Sequence, residues 1–167
     1  MKNLIATAGT TLAIFLFAVC LSTHAEVHLP AIFSDGMVMQ QQTHANLWGT
    51  ATPNKKVTVR TSWDGKLYAV TADKQGAWKL SVSTPEAGGP YTVTFDDGTP
   101  KVLSNILIGE LWLCSGQSNM EMPMKGFKNQ PVENANMDIL RSRNPKIRLF
   151  TVKRTSTFTP QNDVTGS

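Results

Sequence analysis

Residues 111–122 read LWLCSGQSNMEM and place a serine just after a short apolar run and a glycine. The run at 111–114 is typical of a buried parallel strand, and Gly116 introduces a turn that displays Ser118 among polar neighbours. Ser118 is therefore a candidate nucleophile. Its hydroxyl would need a nearby base and amide donors aimed at the developing oxyanion, and the Ser118 backbone N–H can supply one donor.

A second interpretation of these residues is structural. Ser118 and Glu121 have the S-x-x-E spacing of a capping box, in which the serine caps a helix and the glutamate reaches back to it. Pro123 limits any such helix to a short one. The glycine that follows the serine by two residues in the nucleophile elbow of α/β-hydrolases is absent, which disfavours that class of serine hydrolase.

Downstream of the serine, the pattern is typical of the beginning of an α/β domain. Residues 132–143 have a modest helical pattern that ends at Pro145, and residues 146–152 alternate as a second strand. The connection at 121–131 would lie at the carboxyl end of the first strand, where open α/β sheets bind ligands. Its apolar side chains could form a substrate wall or pack onto the domain.

Upstream of the serine, residues 26–104 consist of short strand-like runs separated by turn signals, which indicates an all-β domain. Alternation of apolar and polar residues at 56–60 is typical of a strand buried on one face against a second sheet. We therefore predict a β-sandwich. The runs lie at 36–40, 45–49, 57–61, 67–72, 77–82, 91–95 and 101–103.

Aromatic side chains in this region raise the possibility of sugar binding, because an exposed indole can stack on a sugar ring. Trp48 and Trp78 lie within strand runs, where core packing is expected. Trp63 adjoins a turn and is the tryptophan expected to be most exposed. A noncatalytic carbohydrate-binding β-sandwich is thus an alternative function, and an inactive cell-envelope module is a third.

The N-terminus has the pattern of a secretory signal peptide at residues 1–25. Lys2 precedes an apolar run at 12–21, and Thr23-His24-Ala25 offers a cleavage site of small residues. The apolar run is too short to span a bilayer comfortably, so no membrane span is expected after cleavage. These features predict a secreted or periplasmic protein.

Charge and ligand chemistry exclude several partners. The formal net charge is only +4, with scattered basic residues, so a nucleic-acid partner is not expected. His28 and His44 have no third ligand at a telling spacing, so no metal site is predicted. Cys114 is the one cysteine outside the predicted signal peptide, which rules out an internal disulfide; at the end of an apolar run it is expected to be a buried, inert thiol.

Two blocks of the chain resemble a known family. Residues 109–122, GELWLCSGQSNMEM, resemble the first sequence block of the sialate O-acetylesterase family, a branch of the SGNH (GDSL-like) hydrolases, and residues 29–40, LPAIFSDGMVMQ, resemble the opening of these proteins. The resemblance implies a cofactor-free serine esterase that removes acetyl groups from sugars such as sialic acids. Ser118 is then the nucleophile, and its neighbours Gln117, Asn119 and Met120 are candidate substrate-binding residues.

The resemblance also implies parts that these 167 residues lack. SGNH hydrolases are expected to draw further oxyanion donors and an Asp-x-x-His pair from later blocks, whereas His24, His28 and His44 all precede Ser118. We therefore expect a β-sandwich at 26–104 followed by the first strand, turn, helix and strand of an SGNH, flavodoxin-like domain at 105–167, apparently truncated. This part alone is expected to be inactive.

Overall fold

The computed structural model describes residues 26–166, so the predicted signal peptide at residues 1–25 lies outside the described residues. Within these described residues, no helix is long and apolar enough to cross a bilayer. The elements are β1 (Val38–Gln40), β2 (His44–Thr50), β3 (Lys56–Thr61), β4 (Leu67–Thr71), β5 (Ala77–Ser83), β6 (Gly88–Asp96), β7 (Lys101–Gly109), α1 (Ser118–Glu121), β8 (Gly126–Phe127), β9 (Gln130–Pro131) and α2 (Ala135–Arg141).

The strands between residues 38 and 109 form two sheets. The larger has the order β1-β7-β6-β3-β4, and the smaller pairs β2 with β5. Only the β1–β7 pair is parallel; the other pairs of these two sheets are antiparallel. Each strand-like run predicted for residues 26–104 overlaps one of these strands, so the strand-rich character of that region is confirmed.

Strand β3 illustrates why these residues form strands. Val57 and Val59 are fully buried, whereas Lys56 and Arg60 are exposed, as the alternation at 56–60 predicts. The hairpin to β4 is closed by Asp64, whose carboxylate accepts hydrogen bonds from the Thr61 hydroxyl and the Lys66 N–H. The turn thus supplies local side-chain partners for its own backbone.

Both sheets contribute side chains to one hydrophobic core. Leu47, Trp78 and Val82 come from the smaller sheet, and the centroid of the Trp78 ring lies 6.0 Å from that of Phe95 on β6. The larger sheet curls into a half-barrel. The finer arrangement as a two-layer sandwich stays a prediction.

Strand β7 continues past the predicted domain boundary between residues 104 and 105. Its pairing with β6 is irregular here, because Leu103 pairs with Val93 but Ile106 pairs with Tyr91. Asn105 between them has a φ of 55°. Asparagine tolerates this left-handed conformation better than most residues, and the irregularity keeps both Leu103 and Ile106 buried.

The two strands predicted downstream of β7 are not formed by the described residues. Residues 111–114 lie outside any strand, and residues 146–152 contribute only an isolated bridge between Val152 and Gly166. The described residues do not bury 111–114, since Leu113 is 94% exposed. A parallel strand needs neighbouring strands and covering helices, and no described segment supplies them to 111–114. The predicted helix at 132–143 is confirmed in part as α2.

Gly49 in β2 lies where the backbone of an upstream segment approaches most closely. His28 and Thr50 exchange two backbone hydrogen bonds beside it, and a Cβ at position 49 would collide with the His28 carbonyl oxygen. We expect Gly49→Ala to lower the free energy of unfolding by about 1–3 kcal/mol through overpacking. Gly109→Ala is the matched control, because a Cβ there meets no atom within 4 Å. Denaturant titration of both variants checks this, and equal stabilities would contradict the packing of residue 28 on β2.

Candidate active site

The two sequence blocks that carry the family resemblance lie side by side in the larger sheet. Strand β1 ends the first block and pairs in parallel with the last residues of β7, with Gln40 opposite Gly109. The Gln41 N–H donates to the Gly109 carbonyl oxygen at 2.8 Å. The chain therefore leaves β7 beside the end of β1 and passes through Glu110 into the serine loop, which we define as residues 111–122.

Two glutamines hold this exit from β7. Gln40 Nε2 donates to one carboxylate oxygen of Glu110 at 3.1 Å, and Gln41 Nε2 donates to the other at 2.6 Å. Gln40 Oε1 also accepts from the Leu111 N–H at 2.9 Å, while Gln41 Oε1 accepts from the Ala87 N–H at 2.9 Å. We call Gln40, Gln41 and Glu110 the glutamine clamp. It connects the end of β1, the start of the serine loop and the β5–β6 connection.

Hydrogen bonds from Gln41 and Gln40 lower the pKa of the Glu110 carboxyl group. Because the folded-state pKa is lowered, the contribution of the clamp to stability is present above the ordinary carboxyl pKa and is lost as pH falls through the folded value. We expect an NMR titration to give Glu110 a pKa below that of an unperturbed glutamate, and Gln41→Ala to raise it. Gln42→Ala, which removes a contact to Glu86 instead, should leave it unchanged; an equal rise in both variants would contradict the assignment.

Ser118 is the first residue of the four-residue helix α1 and is exposed. Its hydroxyl makes no hydrogen bond to any other residue in the described range 26–166. Gln117 is the N-cap, without a side-chain cap, so the capping-box interpretation is wrong. The Glu121 carboxylate instead contacts the Arg154 guanidinium. The Ser118 hydroxyl is thus exposed, and its N–H lies in the first turn of the helix, where backbone donors have no partner within the helix.

The described histidines are used elsewhere. His44 Nδ1 lies 3.2 Å from the Ser83 hydroxyl, and the backbone of His28 pairs with Thr50. In the range 26–166, then, no imidazole is hydrogen-bonded to Ser118 as a general base. Nor do these residues contain a group of three or more His, Cys, Asp or Glu side chains placed to hold a metal ion.

The neighbours of Ser118 are also exposed. Gln117, Asn119 and Met120 all lie at the surface, and their role in substrate binding stays a prediction. Met120 lies against the loop, since a Cβ added at Gly116 would be 2.9 Å from Met120 Cγ. Cys114 is exposed, so its prediction as a buried thiol is wrong, for the same reason that 111–114 lacks strand partners.

The tryptophans mostly pack as expected. Trp78 is buried in the core, and Trp48 is half-buried with its ring edge-to-face against Phe33. Trp63 is also half-buried rather than freely exposed, because its Nε1 donates to the Ser83 carbonyl oxygen and its ring packs against Tyr91. Trp48, Trp63 and Trp78 therefore do not form an open row of indole faces.

The sequence pattern gave no functional role to Gln40 and Gln41. The sequence signal that could have indicated a role is the position of Gln40 and Gln41 along the chain. The block that resembles the family opening ends at Gln40, and the serine block begins at Gly109. Only the parallel pairing of β1 with β7 shows that the two blocks meet. The clamp is therefore the part of the candidate site that the structure adds.

Comparison with known proteins identifies esterases. No protein-family model matches the chain. It is 31% identical to the sialate O-acetylesterase of Mus musculus over 77% of this chain and 25% of that protein, and 31% identical to that of Homo sapiens over 63% and 22%. A crystal structure of a carbohydrate acetylesterase from Xanthomonas citri matches with a TM-score of 0.75 and 30% identity, over 84% of this chain and 32% of that one. The chain thus spans about a quarter of the length of its curated relatives.

Proposed function

Because the chain is related to the sialate O-acetylesterase family, we propose that it is part of a secreted or periplasmic carbohydrate esterase. The substrate class is O-acetylated sugars such as sialic acids. The observation that carries the proposal is the free, exposed hydroxyl of Ser118 at the start of α1, in the sequence block that resembles the family.

The reaction we propose is acyl transfer through the serine. Ser118 Oγ attacks the acetyl carbonyl carbon while a base removes the hydroxyl proton, and the Ser118 N–H donates to the oxyanion. The C–O bond to the sugar then breaks, and the base returns the proton to the sugar oxygen. Water attacks the acetyl-enzyme in the same way, which releases acetate and restores the serine.

The base and its carboxylate partner are assigned to parts of the protein outside these 167 residues. The length of the curated relatives, about four times the matched segment, supports this assignment. We also propose that residues 105–167 are the first elements of an SGNH-type α/β domain that follows a β-sandwich. Support comes from Trp112 and Leu113, which are 81% and 94% exposed and would be buried if 111–114 paired with strands of such a domain.

Acetate release tests the proposed function. The full-length protein is incubated with an O-acetylated sialic acid, and free acetate and the deacetylated sugar are both quantified. We expect the two products to appear in equal amounts. The noncatalytic alternative, which the esterase relatives do not favour, predicts sugar binding without acetate release. Sequencing the N-terminus of protein recovered outside the cytoplasm tests the proposed secreted or periplasmic location. We expect Glu26 to be the first residue.

A further inference from the structure

Glutamine side chains extend the β1–β7 pairing beyond its last backbone pair. At Gln40 and Gly109 the regular ladder ends. The Gln40 amide then continues it, because its oxygen accepts from the Leu111 N–H while its nitrogen donates to the Glu110 carboxylate. A side-chain amide here takes the place of a peptide group. The direction in which the chain leaves the sheet is thus fixed one residue further, at the start of the serine loop.

The second glutamine holds the same carboxylate from the other side. Gln41 Nε2 donates to Glu110 Oε1, and its own position is fixed by the Ala87 N–H and by the bond from its backbone to Gly109. The donors that reach Glu110 therefore come from the last paired residue of β1, Gln40, and from Gln41, whose backbone is bonded to Gly109. From Leu111 onward, by contrast, no strand of the described chain supports the backbone until α1 begins at Ser118.

We propose that Glu110 is a positioning residue for Ser118, and that the glutamine clamp aligns the serine loop for acyl transfer. This inference rests on the proposed function of Ser118. A misplacement of about 1 Å in a reacting group can cost about 100-fold in rate, so a fixed start of the serine loop helps to keep the nucleophile aligned. Glu110 itself does not touch the reacting atoms.

The polarity of the clamp provides a specific test, because its two ends can be exchanged. In Glu110→Gln, the oxygen of the new amide can still accept from Gln41. The nitrogen of the new amide then faces the Gln40 side-chain nitrogen, so two donors meet. If the Gln40 amide rotated to avoid this, the Gln40 nitrogen would instead face the Leu111 N–H, which is also a donor. In Gln40→Glu two carboxylates face each other. In the double variant Gln40→Glu/Glu110→Gln, the new carboxylate accepts from the Leu111 N–H and from the new amide, whose oxygen still accepts from Gln41. All three bonds are restored.

The experiment measures acetate release by the full-length protein. Each single variant is expected to lower kcat by about 10- to 100-fold with KM nearly unchanged, and the double variant to recover kcat to within about threefold of wild type. Glu86→Gln is the matched control, because Glu86 forms a similar contact with Gln42 that does not lead into the serine loop, and it should retain wild-type kcat. Single variants with wild-type kcat, or a double variant no better than the singles, would overturn the proposal.

A second readout separates this inference from the proposed function. Hydrogen exchange at the Leu111 N–H should accelerate in both single variants and slow again in the double variant. If wild-type protein releases no acetate, the esterase proposal fails whatever the exchange rates. The other decisive case is an active wild-type protein in which exchange at Leu111 accelerates in the single variants and slows in the double variant, while kcat stays the same in all of them. The clamp is then only structural, and the positioning role is wrong.

Discussion

Ser118→Ala is expected to lower kcat for acetate release by the full-length protein by about 10⁶-fold. That is the scale on which loss of the nucleophile acts in serine hydrolases with a serine–histidine pair, because no other group can form the acyl-enzyme. KM should change little, since the hydroxyl contributes mainly to the transition state. Kinetics on an O-acetylated sugar, with a stoichiometric acetate assay, measure both values.

The alanine variant should remain folded, which makes the loss interpretable. Ser118 is exposed and its hydroxyl makes no hydrogen bond within the described chain, so the free energy of unfolding should stay within about 0.5 kcal/mol of wild type. Ser115→Ala is the matched control, because Ser115 is an exposed serine of the same loop that precedes the turn. Retained activity in Ser118→Ala, or an equal loss in Ser115→Ala, would refute the assignment of the nucleophile.

Local periodicity predicted most strands of the β region but not the full length of β7. A period of two predicts burial at alternate positions, as seen for Val57 and Val59. In β7 the buried positions Leu103 and Ile106 are three residues apart, because the chain is irregular at Asn105. The alternating run therefore ended at residue 103 in the sequence pattern, and the apolar residues that follow suggested the start of another element, whereas β7 continues to Gly109.

Some residues of the candidate site can be predicted from neighbouring residues in the sequence, whereas others depend on contacts between distant parts of the chain. Ser118 became a candidate nucleophile through one continuous block, residues 109–122, whose resemblance to the family can be recognised without any knowledge of the fold. The contact between Gln40 and Glu110 joins residues 70 positions apart and depends on the pairing of β1 with β7. Cys114 was mispredicted for a related reason: an apolar run indicates burial only where other segments are present to cover it.

Phe95→Ala is expected to have the largest effect on stability. Phe95 is fully buried in β6, a central strand of the larger sheet, and its ring packs beside Trp78 of the smaller sheet. Removing the ring leaves a cavity where the two sheets share their core, which we expect to lower the free energy of unfolding by about 3–5 kcal/mol. For a domain whose whole stability is about 5–15 kcal/mol, that is a large fraction.

Denaturant titration followed by tryptophan fluorescence measures this loss, and Val102→Ala provides the control. Val102 lies on the neighbouring strand β7 but is 55% exposed, so its truncation should change stability by no more than about 0.5 kcal/mol. The contrast depends on which side chains are covered, because Phe95 packs beside Trp78 of β5 whereas Val102 is exposed. Similar losses of unfolding free energy in both variants would mean that the smaller sheet does not cover Phe95. The two sheets would then not share one hydrophobic core at this position.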